Sequence, residues 1–290
     1  MGEFQINMPP LLEKKQLTND LQNVFSEFPE VPILLHSDLL KIGLTAAPTE
    51  RTQICKDYEE ALMLSLKERP LLIPTFNYDF CKNGVYNRQE SPSQVGALSD
   101  YFRVHYAHTR SLTPIFNFVI LDPHKKLPTT TSSNVFGQDS LFAHLFKQNG
   151  LVLFLGADFA TNTFLHYVEE CAKIGYRYIK SFSGTIQDGE KEFPITVDYR
   201  VRPWFSPSIA YDFPKLQKEA EEAHILKECQ VGYGKLLYYH AKELFAFWSE
   251  KIAHDELYLL TQESQTQIRS FYESKGYPLE LYMFEAIKSK

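Results

Sequence analysis

The run Leu151-Val-Leu-Phe-Leu155, uniformly apolar and closed by Gly156, constrains this chain more than any other stretch. A strand made of five apolar residues has no polar side to offer water, so it must be covered on both faces. An α/β sheet with helices on both sides meets that condition. The polar triplet Thr161-Asn162-Thr163 follows and offers a helix N-cap, and Leu165, Val168 and Ala172 recur along one helical stripe. His166 and Glu169 stand on a different face, three residues apart, where an imidazole and a carboxylate can touch. A strand, a turn and a His/Glu pair in the first helical turns would mount a general base at the strand's carboxyl end. Open α/β sheets place their ligands at that edge. A solvated polar helix face has the same spacing, and spacing alone does not separate the two.

Elements of both kinds alternate on either side of this unit. Residues 17–25 read as a capped helix ended by Pro29 and Pro32, and residues 31–37 as a buried strand whose end, His36-Ser37, turns polar. Residues 58–69 read as an amphipathic helix stopped by Pro70, and 71–76 as a second buried strand. Residues 77–96 read as a long active-site loop. A helix from about residue 95, a strand over 115–121, a polar loop over 123–134 and a helix over 139–146 come next. The stretches 176–179 and 193–199 predict an antiparallel extension. Residues 213–225 read as a charged helix, 232–239 as a strand or hairpin arm, 241–253 as a helix, and 256–290 as mostly helical. No repeat or low-complexity tract divides the chain. The expectation is a single α/β domain over residues 1–290, with 261–290 as a C-terminal helical extension. Its central sheet would be mixed and mostly parallel, flanked by helices, with a small antiparallel extension.

Composition bounds what such a fold can do. With 290 residues, 44% of them hydrophobic, there is material for a substantial core. A formal net charge of -6 argues against nucleic acid as the partner, although local basic clusters can still meet an anion. Cys55, Cys81, Cys171 and Cys229 are scattered without a C-x-x-C pair, which speaks against a zinc site and a disulfide framework. His105 and His108 have metal-ligand spacing but no Cys, His or acidic companion, so no metal is expected. No apolar run approaches the ~20 residues of a membrane span. The first residues, with Glu3, Glu13, Lys14 and Lys15, do not read as a signal peptide. A cytoplasmic protein is the expectation.

Seven segments, in order, resemble the aminoglycoside 3-N-acetyltransferase (antibiotic N-acetyltransferase) family. They are residues 34–39 (Leu-Leu-His-Ser-Asp-Leu) with Gly43, residues 73–76 (Ile-Pro-Thr-Phe), and Val95-Gly96 through Phe102-Arg103. Arg110-Ser111-x-x-Pro114, Phe136-Gly137-x-x-Ser140, Leu155-Gly156 and Asn162-Thr163-x-x-His166-x-x-Glu169 complete the set. The likeness spans residues 17 to 260. It implies transfer of an acetyl group from acetyl-CoA to the amine of an amino sugar, with His166 and Glu169 falling on the family's catalytic pair. His has an ordinary pKa near ~6.5, suited to accept the amine's proton, and a carboxylate can orient the ring.

The resemblance also implies coenzyme contacts at His36, Ser37, Thr75, Phe76, Arg110, Ser111, Phe136 and Gly137. Arg110-Ser111 would meet the phosphate-rich end, with a salt bridge at a strand entrance as the alternative. Acceptor contacts are expected at Tyr78, Asn162, Thr163 and Glu170, and Tyr58 and Tyr106 are further candidates for a sugar pocket. The expected partner is a small-molecule acceptor, and a homodimer is compatible with the sequence. Three departures bear on the acceptor. Thr113 precedes Pro114 where resistance enzymes commonly carry His-Pro. Gly137-Gln-Asp139-Ser140-Leu141 replaces Gly-x-Gly-Ser-Pro. Residues 164–170 and 176–180 look more like members linked to bacterial surface-polysaccharide synthesis. The expectation is therefore a nucleotide-linked or glycan-bound amino sugar, with an aminoglycoside antibiotic as the alternative.

Overall fold

The computed structural model describes residues 10–129, 132–204 and 206–284. The chain begins with α1 (Lys14–Ser26), β1 (Ile33–Ser37), α2 (Leu39–Ile42), α3 (Arg51–Leu66), β2 (Leu71–Pro74), α4 (Phe80–Asn83) and β3 (Val85–Asn87). It continues with α5 (Ala97–His105), β4 (Phe118–Leu121), α6 (Leu141–Lys147), β5 (Leu151–Leu155), α7 (Phe164–Ala172), β6 (Tyr178–Asp188) and β7 (Lys191–Val201). It closes with α8 (Phe213–Glu222), β8 (Lys227–Val231), β9 (Gly234–His240), α9 (Ala241–His254) and α10 (Gln262–Lys275).

Six strands form the central sheet in the order β4-β2-β1-β5-β9-β8. β1 pairs in parallel with β2 and β5, and the β2–β4, β5–β9 and β8–β9 pairings are antiparallel. Four of the six strands therefore run the same way, and β4 and β9 run against them. The period of two decides which core each side chain joins. Leu151, Leu153 and Leu155 face a core shared with Leu17, Leu21 and Phe25 of α1 and Ile54, Tyr58 and Leu62 of α3. Val152 and Phe154 face the other core, with Phe142 and Leu145 of α6, Leu165 and Val168 of α7 and Trp248 of α9. Each such side chain contributes at most about 1.5–3 kcal/mol by leaving water. Covering both faces is what the unbroken apolar run of β5 required.

The connection from β1 to β2 runs through α3 on one face, whereas β5 is entered from α6 on the other. The two connections diverge between β1 and β5, which opens a crevice at the strands' carboxyl ends. A second sheet, β3-β6-β7, supplies the antiparallel extension, a hairpin of two 11-residue strands paired from Tyr178↔Val201 to Asp188↔Lys191. Residues 77–96 are more ordered than a loop. They hold α4 and β3, and β3 joins β6 in parallel. At the far end α10 is capped by the Thr261 hydroxyl, which accepts from the Ser264 N–H, and is anchored by the buried Ile268. Residues 285–290 of the expected helical end lie outside the described residues. Among the described residues no helix is long and apolar enough to cross a membrane.

Candidate active site

β1 and β5 leave the sheet side by side, with Ser37 opposite Leu155 and the Asp38 N–H donating to the Leu155 carbonyl. Gly156 makes this possible. Its φ is +71°, and a Cβ there would lie 2.3 Å from the Asp38 carbonyl oxygen. The chain then turns into α7. Thr163 occupies the N-cap but its hydroxyl caps nothing; it sits 3.3 Å from His36 Nε2 instead. Asn162 is buried, and its Oδ1 accepts from the Tyr239 hydroxyl at 2.7 Å. The buried arc of α7 is also wider than the predicted stripe. Phe164, Leu165, Tyr167, Val168 and Glu169 are covered, whereas Ala172 is exposed.

The His/Glu pair is therefore no solvated helix face. Glu169 is 1% exposed and its Oε2 lies 2.8 Å from His166 Nδ1. The same oxygen is 3.2 Å from Arg177 Nε. Oε1 accepts from the hydroxyls of Tyr176 and Tyr211, each at 2.7 Å. Arg177 Nη2 donates to the Tyr211 hydroxyl, and Nη1 donates to the Arg200 carbonyl at 3.1 Å. A buried carboxylate with four partners, one of them cationic, is the arrangement in which burial of charge is tolerated.

Electrostatics follow from these contacts. Burial pushes the Glu169 carboxyl up, but the Arg177 charge and the hydrogen bonds from His166 and Tyr211 outweigh it and hold it at about 2. Burial pushes the His166 imidazole down and Arg177 pushes the same way; Glu169 opposes them, and the result lies below the ordinary His value. At neutral pH the ring is uncharged. Its side chain is 23% exposed, and among the described residues Nε2 has no hydrogen-bond partner. Phe136, Tyr211 and Phe116 surround the ring at centroid distances of 5.5, 6.0 and 6.4 Å.

A cleft of about 470 Å3 opens at the carboxyl ends of β1 and β2. His36, Ser37, Phe76, Tyr78, Gly96 and Ser99 line it, together with Ala157, Ala160, Thr161 and Thr163 of the segment leading to α7. The first turn of α5 thus faces the cleft, and among the described residues no lining residue is acidic. His166 does not line it. The Phe116 ring connects the two, contacting Phe76 at 5.1 Å, Tyr78 at 5.8 Å and His166. A larger cavity, about 660 Å3, lies beyond Gly156–Phe159. Two of its lysines are already paired, Lys41 with Asp158 and Lys235 with Glu228, and neither dyad residue borders it.

Of the residues expected to contact the coenzyme, His36, Ser37 and Phe76 line the cleft, and Phe136 packs on the His166 ring instead. Gly137 lies against Asn134, to whose carbonyl its N–H donates. Arg110 corrects the phosphate role expected of it. It has no exposed surface, and its guanidinium donates to Thr75 Oγ1, Asn117 Oδ1 and the carbonyls of Thr75, Arg88 and Ser91. The salt-bridge alternative fails as well, because all these acceptors are neutral.

Thr75 and Ser111 are likewise interior. The Thr75 hydroxyl donates to Asn117 Oδ1, and Ser111 Oγ accepts from the Phe118 N–H. Tyr78 and Thr163 line the cleft, but Asn162 is turned to Tyr239, and Glu170 is held by Arg200 and Asn134. Tyr58 is fully buried on the Gly43 carbonyl and Tyr106 bonds Glu59, so neither belongs to a sugar pocket. Among the described residues no group of His, Cys, Asp and Glu could hold a metal ion.

Sequence reasoning missed Tyr176, Arg177, Tyr211 and Phe116. Residues 176–177 were legible only as part of a family-like string, and Tyr211 carries no periodic signal. They meet Glu169 through tertiary structure alone.

A sheet-edge cleft beside a carboxylate-held imidazole is an arrangement that can activate a nucleophile, and the class of the chain is that of an N-acetyltransferase. The chain belongs to the aminoglycoside 3-N-acetyltransferase family, whose sequence profile matches residues 34–253. Members of that family take the acetyl group from acetyl-CoA. No curated protein matches the chain by sequence. Solved structures share its fold. The aminoglycoside acetyltransferase AAC(3)-IVa apoenzyme superposes with a TM-score of 0.68 at 19% identity, over 91% of this chain and 99% of that one. AAC-IIIb in a binary complex with CoASH gives 0.67 at 18% identity, over 84% and 97%. YokD from Bacillus subtilis gives 0.65 at 19%, over 86% and 96%.

Proposed function

We propose that this enzyme acetylates an amine of an aminoglycoside-type amino sugar, with His166 as general base and Glu169 as its orienting carboxylate. The observation that carries the reading is the setting of His166: Nδ1 is engaged by the Glu169 carboxylate, and among the described residues Nε2 is unpaired, while burial and Arg177 lower the ring's pKa. Family membership supports the acceptor class. The cleft supports the donor, since about 470 Å3 falls in the ordinary range of small-molecule sites. His36, Ser37 and Phe76 would hold the pantetheine end of acetyl-CoA, which supplies the thioester carbonyl. Tyr78 and Thr163 would contact the acceptor at the same cleft.

The chemistry assigned to the chain is proton management. An alkylammonium has no lone pair, so it first gives one proton to solvent, and His166 Nε2 takes the second as the neutral amine attacks. The C–N bond forms at the thioester carbonyl and the C–S bond breaks. The imidazolium can then return a proton to the departing thiolate. Glu169 keeps Nδ1 protonated, which leaves the Nε2 lone pair available, and it stabilises the imidazolium as that forms. Asn162 and Glu170, already partnered within the protein, would act by shaping the site.

A second reading, a nucleotide-linked or glycan-bound amino sugar, is favoured by one observation. A polycationic aminoglycoside calls for acidic groups, yet among the described residues no acidic residue lines the cleft, and Glu170 is neutralised by Arg200. Thiol release from acetyl-CoA, measured with kanamycin-type compounds and with nucleotide-linked 3- or 4-amino sugars, separates the two. The primary reading predicts a kcat/KM about tenfold or more higher for the kanamycin type, a discrimination of ~1.4 kcal/mol. The reverse order selects the second reading, and no turnover with either class overturns both.

A further inference from the structure

We propose that Arg177 is a positioning residue of this site: by pairing with the same Glu169 oxygen that faces His166, it keeps Nε2 free of a proton until the amine arrives. The inference rests on the reading of His166 as the base. An isolated, buried imidazole–carboxylate pair has a net charge of -1 when the ring is neutral and zero when the ring is protonated. Burial disfavours net charge, so such a pair alone would hold a proton at rest and leave Nε2 with nothing to accept. A cation paired with the carboxylate reverses the preference. Arginine, carboxylate and neutral imidazole sum to zero, and a further proton leaves the trio at +1.

The geometry is specific to this role. Arg177 Nε approaches Glu169 Oε2, the same oxygen that accepts from His166 Nδ1. The guanidinium plane is fixed by Nη2 on the Tyr211 hydroxyl and Nη1 on the Arg200 carbonyl, and Arg177 is itself buried. Its own charge is secure, because the attraction of Glu169 and the Tyr211 contact outweigh the burial that would weaken it.

The charged and titratable groups around His166 are few. Glu169 lies on its own helix, Arg177 just before β6, Tyr211 between β7 and α8, and Arg202 just beyond β7. The Tyr176 hydroxyl donates to Glu169, and Glu170 is turned to Arg200 and Asn134. Phe116 and Phe136, whose rings flank His166, carry no charge. After burial, Arg177 is the largest influence lowering the His166 pKa.

The test is the pH profile of kcat/KM for the full-length enzyme and for Arg177→Gln and Arg177→Lys, together with NMR titration of the His166 ring. In the wild type the acidic limb and the ring should both titrate below ~6.5. Arg177→Gln, which keeps a donor but loses the charge, should move both upward by about one pH unit or more. Arg177→Lys should lower kcat severalfold yet leave the limb near its wild-type position. A purely structural arginine would instead lower activity equally at every pH with the limb unmoved, and that result overturns the proposal. A lysine variant that shifts as far as the glutamine variant overturns it as well. A wild-type His166 titrating above pH 7 refutes it without any variant, so a substitution that fails to fold leaves the test intact. An NMR shift that the rate profile does not follow would retain the Arg177 effect and reject His166 as the base.

Discussion

Arg110 and Arg177 are both buried beside the candidate site, and they are held in opposite ways. Arg110 spends its donors on neutral oxygens, from Thr75, Asn117, Arg88 and Ser91, and fastens the exit of β2 to the β3–α5 loop and to the residue before β4. Arg177 faces a carboxylate that also serves an imidazole. The imidazoles of His36 and His166 repeat the contrast. His36 stacks on Phe154 at 5.2 Å, and a Thr163 hydroxyl is its polar neighbour, whereas His166 has Glu169. Burial alone pushes His36 down to about 3, which removes it from proton transfer at neutral pH. Burial is common to both regions. What differs is the charge opposite, and that separates a strut from a group able to move a proton.

Substitutions can break this contrast. The largest structural effect should follow Glu169→Gln, which strands Arg177 without its counter-charge. A loss of about 3–5 kcal/mol in stability is expected from the cost of an unpaired buried ion. The loss of kcat at permissive temperature should be milder than that from removing the imidazole. Denaturant melts and steady-state rates on the same samples check both. Arg110→Met should destabilise by about 3 kcal/mol, because several buried acceptors lose their donor. In contrast to Arg177→Gln, it should leave the acidic limb unchanged, and the KM for acetyl-CoA should stay at its wild-type value. A raised KM would restore the phosphate role that its burial contradicts.

The smallest effect concerns His36. Its folded value lies below the unfolded one, so the unfolded chain binds more protons between about pH 6.5 and pH 3. The stability it contributes is complete above ~6.5 and is lost as pH falls through that window, by a few kcal/mol near pH 4. His36→Phe should flatten this part of the stability-versus-pH curve, and an unchanged slope would contradict the burial argument.

Local features of this architecture were legible in sequence. The β5 run, the punctuating Gly156 and the i, i+3 spacing of His166 and Glu169 depend on neighbours within a few residues, so periodicity and sterics expose them. The strand predicted over 115–121 shortens to β4 because Asn117 and the residues before it give their polar groups to Thr75, Asn77 and Arg110. Arg110 read as a phosphate ligand because a string of letters carries no burial. Glu169, Arg177 and Tyr211 form one network across 42 residues, and nothing local joins them. Thr163 fits the cap pattern, yet its hydroxyl goes to His36, a contact 127 residues away.

The most direct test of the central claim is turnover and coenzyme affinity of His166→Ala, measured on one preparation. If the imidazole is the base, kcat should fall by a factor on the order of 10²–10⁴ while the Kd for coenzyme A stays near the wild-type value. Wild-type turnover at saturation, or a loss confined to coenzyme binding, would contradict the account.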